Sequence, residues 1–113
     1  MGDTILFGEP NIYLQFSNKI FLMQDVKLKQ KQILVALGKI IKSHRVHMKK
    51  SLSKISDEIC MSKSNWSDLE NGKYNDIYFT NLWKISEGLD IPLETLIVEL
   101  KQELGADFSL TDL

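Results

Sequence analysis

Between residues 63 and 71 of this 113-residue sequence, side-chain type and spacing could do chemistry. Lys63, Ser64, Ser67, Asp68 and Asn71 fall on one face of a helix, opposite Trp66 and Leu69. A cation, two hydroxyls, a carboxylate and a carboxamide together can donate to and accept from base edges and phosphate oxygens. The other candidate constellations are thinner. His44 and His47 lie three apart and Cys60 adds a thiol, but no fourth ligand is evident, so no metal is expected. Nothing basic directly flanks Cys60, so a redox-active thiolate is not expected either. Asp57 and Glu58 are adjacent, so on a helix they diverge by about 100° and read as solvated surface, not an acid–base pair. Trp66 and Trp83 could stack on bases, yet their helical positions place both in a core. With no glycine-rich phosphate loop and no strand-turn-helix nucleophile, neither an enzyme nor a cofactor is expected.

The elements that must position the polar face are legible from periodicity and caps. Ile33, Leu37, Ile40, Ile41, His44 and Met48 form one amphipathic stripe, which predicts a first helix over about 26–48. Ser51 caps a short second helix, 52–59, with Leu52, Ile55 and Ile59 inward. After Cys60 and Met61, Ser62 caps a third helix through Asn71, and Gly72 ends it in the left-handed conformation. Tyr78, Leu82, Ile85 and Leu89 predict a fourth helix over 77–89. Pro92 opens a fifth, 92–104, with Leu93, Leu96, Ile97, Leu100 and Leu104 inward and Gly105 closing it. Two short helices joined by a turn of three or four residues form a helix-turn-helix, here Ser51 to Gly72.

The ends read differently. Ile12, Leu14 and Phe16 alternate with Tyr13 and Gln15, Gly8-Glu9-Pro10-Asn11 is a turn signal after Ile5-Leu6-Phe7, and a second apolar run, Ile20-Phe21-Leu22-Met23, follows the break at Ser17-Asn18-Lys19. Residues 1–24 are therefore expected to be an extension with one or two short strands, before an all-α domain at 25–105. The tail 106–113 is expected to be weakly ordered.

Length and composition set the class. The chain is long enough for one domain, with 43% hydrophobic and 26% charged residues. No apolar run approaches the roughly 20 residues of a membrane helix, the start lacks a basic leader, and one cysteine fits a reducing compartment. A cytoplasmic protein without a membrane partner is the expectation. The net charge of −1 hides a split: Lys27, Lys29, Lys31, Lys39, Lys42, Arg45, Lys49, Lys50 and Lys54 share residues 27–54 with no acid, while 74–113 carry eight acids against Lys84 and Lys101. A cationic face opposite an anionic one suits a polyanionic partner; the plain alternative is lysines solvating a helix.

Over about residues 36–100 the sequence resembles the Cro and lambda-repressor-like, or Xre, helix-turn-helix family. The resemblance rests on Leu37-Gly38-Lys39-Ile40-Ile41-Lys42-Ser43-His44-Arg45, on Ser51, Ile55 and Met61-Ser62, and on Leu69-Glu70-Asn71-Gly72-Lys73 at the end of the third helix. Leu82, Ile85, Leu89, Pro92 and Leu96 match in spacing. Three positions depart: Leu52 stands where the family often has glutamine, Ser56 where it has alanine, and Cys60, a small and often buried residue, where it has the glycine of the turn.

The resemblance implies a five-helix DNA-binding regulator that acts as a homodimer on a pseudo-palindromic double-stranded operator, third helix in the major groove. It implies base contacts from Lys63, Ser64 and Asp68, with Ser67 secondary, Lys63 favouring guanine acceptors and Asp68 a cytosine amino group. It implies phosphate contacts from Ser51, Ser62, Asn71 and Lys73, general attraction from Lys42, Lys49 and Lys50, and a structural ion pair between Arg45 and Glu70. The second reading is an antitoxin-type interaction module that meets a protein partner through a strand edge in the apolar run 12–23.

Overall fold

The computed structural model describes residues 12–112, with side-chain detail from Met23 onward. Its elements are α1 (Ile12–His47), α2 (Leu52–Glu58), α3 (Lys63–Glu70), α4 (Phe79–Gly88) and α5 (Leu93–Leu104), and no strand occurs among the described residues. The all-α expectation holds. The strand expected over 12–16 does not, and the strand-edge docking expected over 12–23 goes with it: this stretch is the first part of α1. The apolar pattern there fits two periods at once, because Ile12, Phe16, Ile20 and Met23 also recur at helical spacing. No glycine or proline interrupts the chain from Asn11 to Leu37, so nothing stops helix propagation. The run Ile5–Phe7 and the turn expected after it lie outside the described residues.

Residues Gln30–Phe108 form one compact unit. Its core takes Leu34, Leu37 and Ile41 from α1, Ile55 and Ile59 from α2 and its C-cap, and Trp66 and Leu69 from α3. Leu82 and Ile85 of α4, its cap Leu89, and Leu96 of α5 complete it. Most of these are positions the period predicts, Leu34 being an addition, and the predicted Ile33, Ile40, Leu93, Ile97 and Leu100 pack against the core only partly buried. Tyr78 does not: it is the N-cap of α4 and 80% exposed.

The first four helices end alike. Lys49, Cys60, Gly72 and Asp90 sit in the left-handed region, with φ of 61°, 56°, 65° and 56°. In each case the next backbone N–H reaches back five residues, to the carbonyls of Arg45, Ser56, Asp68 and Ser86. These are Schellman ends, and only Gly72 has the residue type that occupies them without steric cost. Cys60, the family's glycine position, is therefore no buried stand-in: it is exposed and holds its turn in a strained conformation.

The second compact unit combines chain before Gln30 with chain after Phe108. Within it, the Lys29 ammonium donates to the Ser109 carbonyl (2.7 Å) and the Asp112 carbonyl (2.5 Å), and Asp112 N–H donates to Ser109 Oγ. The tail expected to be weakly ordered is held by these bonds.

Candidate nucleic-acid interface

The candidate surface is the outer side of α3, and its precision depends on what grips the inner side. Trp66 and Leu69 are 0% and 1% exposed, so the register of α3 is fixed from within. A methyl group at Gly38 of α1 would lie 2.5 Å from the Leu69 carbonyl oxygen and 2.7 Å from that of Glu70. The two backbones touch at this crossing, and only a residue without a side chain permits it. Gly72 likewise has no room, since a Cβ there would lie 2.9 Å from Val35 Cγ2.

Glu70 is the hub of the clamp. Arg45 meets its carboxylate with both fork nitrogens, Nε on Oε2 and Nη2 on Oε1, the latter at 3.0 Å. Trp66 Nε1 donates to Oε2 at 2.7 Å, and Arg45 Nη1 donates to the Lys50 carbonyl at 2.9 Å. The two charged side chains are only 13% and 5% exposed. Hydrogen bonding to Glu70, offset in part by desolvation, raises the already high Arg45 pKa, so the guanidinium stays charged. One constellation thereby ties the end of α1, the α1–α2 turn and the end of α3 together.

The caps behave as their types require. Ser51 Oγ accepts from Lys54 N–H and Ser62 Oγ from Asn65 N–H, each at 3.0 Å. Both serines are exposed, and each hydroxyl hydrogen remains free to donate outward. Ser56, 1% exposed at the crossing, spends its hydroxyl on the Leu52 and Ser53 carbonyls. Leu52 itself is half-buried against the core, where it packs instead of presenting an apolar side chain to a ligand.

On the outer face, Lys63 and Ser64 are exposed, and Ser67 and Asp68 are half-buried. Asn71, the C-cap, donates through Nδ2 to the Ser67 carbonyl at 2.8 Å and stays exposed beside Lys73. Two residues with no assigned role join this face. Asn65 is exposed on α3 and carries both donor and acceptor; its exposure was readable from the wheel, but it lay at the margin of the face. Tyr74 lies half-buried against the core just past α3. Burial first, then the Asp68 charge, pushes its phenol pKa up, which marks the two as neighbours; no spacing rule predicts that.

The expected phosphate-binding lysines divide. Lys42 and Lys49 are exposed. Lys50 is not a free charge: its ammonium bonds Glu58 at 2.6 Å and reaches the Gly88 carbonyl at 3.3 Å. The hydrogen bond from Lys50, with a smaller contribution from Lys54, holds the exposed Glu58 carboxyl below its usual pKa. Asp57 and Glu58 thus serve as surface and ion-pair groups. His44 meets Glu99 of α5 through Nε2 at 2.6 Å. Trp83, expected in the core, is 51% exposed on α4, where it stacks edge-on against Phe79 with ring centres 6.0 Å apart.

This α2–turn–α3 unit, gripped by α1, is matched by the family model described as a helix-turn-helix domain, over residues 38–103. The chain belongs to the helix-turn-helix domain family. The Xre-type resemblance of the sequence stands with it. Among solved structures, the helix-turn-helix fold here is similar to the crystal structure of the clp gene regulator ClgR from C. glutamicum, with a TM-score of 0.60 and 19% identity. That match covers 66% of this chain and 96% of the other. No curated protein matches the chain by sequence. No helix among the described residues is long and apolar enough to cross a membrane.

Proposed function

We propose that this helix-turn-helix protein is a sequence-specific DNA-binding regulator of transcription that places α3 in the major groove. The observation that carries the reading is the contrast across α3. Its inner side is locked by Trp66, Leu69 and the Arg45–Glu70–Trp66 network, while its outer side offers Lys63, Ser64, Asn65, Ser67 and Asp68 with no apolar residue among them. A rigid helix with a polar outer face suits base readout, because each side chain arrives at a fixed base edge.

Lys63 and Asn65 supply donors at the start of α3, Asp68 accepts, and Ser64 and Ser67 serve either role. Ser51, Ser62, Asn71 and Lys73 flank this face and bind phosphates, with Lys42 and Lys49 adding exposed positive charge. Lys50 is left out, since Glu58 neutralises it. The protein acts as a homodimer on a pseudo-palindromic operator, one α3 per half-site. That ClgR, which shares the fold, is a gene regulator supports the regulatory reading.

Selection of duplexes from a random library, followed by mobility shifts on the enriched site, tests this directly. Enrichment of an inverted repeat whose half-sites lie about one helical turn apart is expected. Recovery of no preferred sequence would overturn the reading.

A further inference from the structure

The turn between α1 and α2 alternates in what it exposes. Lys49 and Ser51 are exposed and face the phosphate backbone in the reading above. The Lys50 side chain between them is only 19% exposed and runs back onto the protein. Its ammonium donates to Glu58 Oε1 at 2.6 Å and to the Gly88 carbonyl at 3.3 Å. Glu58 is the last residue of α2, and Gly88 is the last of α4. The two helix ends press together there, since a Cβ on Gly88 would lie 2.6 Å from Ile59 Cγ2 and 3.3 Å from Ile55 Cδ1.

Both anchors need a cation. A carboxylate in the last turn of a helix faces the negative end of its dipole, so Glu58 favours α2 only with a positive charge beside it. The Gly88 carbonyl lies at the end of α4, where a helix supplies no donor of its own. Lys50 answers both at once. Its backbone is tied in the other direction. Lys50 N–H donates to the Arg45 carbonyl at 3.3 Å, and the Lys50 carbonyl accepts from Arg45 Nη1 at 2.9 Å. The same guanidinium grips Glu70 at the end of α3, on the carboxylate that also takes Trp66 Nε1. A line of bonds therefore runs from the ends of α2 and α4, through Lys50 and Arg45, to α3.

From this line we infer that Lys50 is a positioning residue for DNA binding. Its ammonium, anchored on Glu58 and Gly88, sets the turn that aims Lys49 and Ser51 at phosphates and presents to Arg45 the carbonyl that orients its grip on α3. The inference rests on the DNA-reading function proposed above and adds a residue that acts without touching DNA. The rival role, a phosphate ligand parked on Glu58, makes the opposite prediction, because removing that carboxylate would free the cation.

Anisotropy titrations of the full chain with its selected duplex decide between the two roles. They are run over a salt series, at a temperature well below the unfolding midpoint of every variant, so that a loss of stability alone leaves affinity unchanged. Glu58→Gln removes a negative charge, yet it weakens binding by about tenfold, the loss of one charge-assisted hydrogen bond expressed as affinity. Lys50→Met does the same, and the two substitutions combined are no weaker than Lys50→Met alone. The salt slope of each stays within about half a unit of wild type. Lys50→Arg, long enough to span both acceptors, keeps wild-type affinity. Without DNA, the Trp66 indole N–H resonance, told from that of Trp83 by a Trp83→Phe reference, shifts in both Glu58→Gln and Lys50→Met.

A Glu58→Gln chain that binds as tightly as wild type or tighter would overturn the proposal. So would an unmoved Trp66 resonance, or a Lys50→Met slope flattened by about one unit per half-site. A wild-type chain that selects no duplex removes the DNA reading itself. That outcome is scored on wild type alone, so it is distinct from a wild type that binds while Glu58→Gln binds equally well.

Discussion

At the residue scale, most of the specificity of this fold is concentrated on Glu70. Three N–H groups converge on its carboxylate, two from Arg45 and one from a Trp66 that is fully buried. Glu70→Ala would strand a guanidinium that is 13% exposed and orphan the indole N–H together. Loss of one partner from such a pair costs about 3 kcal/mol, since the remaining charge stays desolvated. Urea unfolding of Glu70→Ala without DNA should show a midpoint lowered accordingly; an unchanged midpoint would mean the network adds nothing. Cys60 works in the opposite direction. Its φ of 56° costs a residue with a Cβ about 1 kcal/mol. Cys60 is exposed, so its side chain loses little by removal. Cys60→Gly should therefore raise stability by about 0.5–1 kcal/mol, checked by the same unfolding curves, even after glycine's greater freedom in the unfolded chain is counted. The Arg45–Glu70 pair was legible in the sequence because the Leu69–Lys73 run resembles a family that places it. The left-handed strain at Cys60 was not, since residue type alone pointed to a small buried residue.

At the scale of elements, α2 to α5 were readable within one or two residues at each end because their stops are local. Ser51 and Ser62 cap through their own side chains, and Gly72 ends α3. The N-terminal half of α1 was misread because alternation and helical spacing coexist over residues 12–23, and no local signal arbitrates between them. Trp83 was misplaced for a related reason: it follows the buried Leu82 directly, so one step of 100° carries it from core to surface. The pairing of Lys50 was not legible in the sequence, because Glu58 and the Gly88 carbonyl reach it only through tertiary packing. The α1–α3 crossing at Gly38 yields a prediction of its own. Gly38→Ala gains up to about 1 kcal/mol of helix propensity but drives a methyl into two backbone carbonyls that cannot rotate away. Overpacking of this kind costs about 1–3 kcal/mol, so net destabilisation is expected. A lowered melting temperature for Gly38→Ala checks it. A stabilised variant would show that the crossing has slack.

At the scale of the whole molecule, affinity and selectivity should separate by location. Residues 27–54 concentrate positive charge without any acid, while 74–113 are acidic, so a polyanion is attracted to one part of the chain and repelled from the other. Binding that displaces counterions falls with salt, and a dimer making several phosphate contacts should give a log–log slope of about −3 or steeper. Lys49 is exposed just past the end of α1, and no acid among the described residues pairs with it, so Lys49→Ala should weaken every duplex alike. It should also flatten the slope by about one unit per half-site, with the preferred sequence unchanged. Lys50→Ala should have less effect on the slope, because its charge is already shared with Glu58. Asp68 is the opposite case. A carboxylate on α3 repels phosphate, so it belongs there only if a base donor such as the cytosine amino group meets it. Asp68→Ala should relax selectivity at one base pair by about 1–3 kcal/mol while raising non-specific binding. Its neighbour Tyr74, relieved of that charge, should titrate at lower pH, which absorbance at alkaline pH can follow as a check that the site remains folded. Selection from a random library with each variant distinguishes the classes. Undiminished selectivity in Asp68→Ala would remove the carboxylate from the readers and leave base recognition to Lys63, Ser64, Asn65 and Ser67.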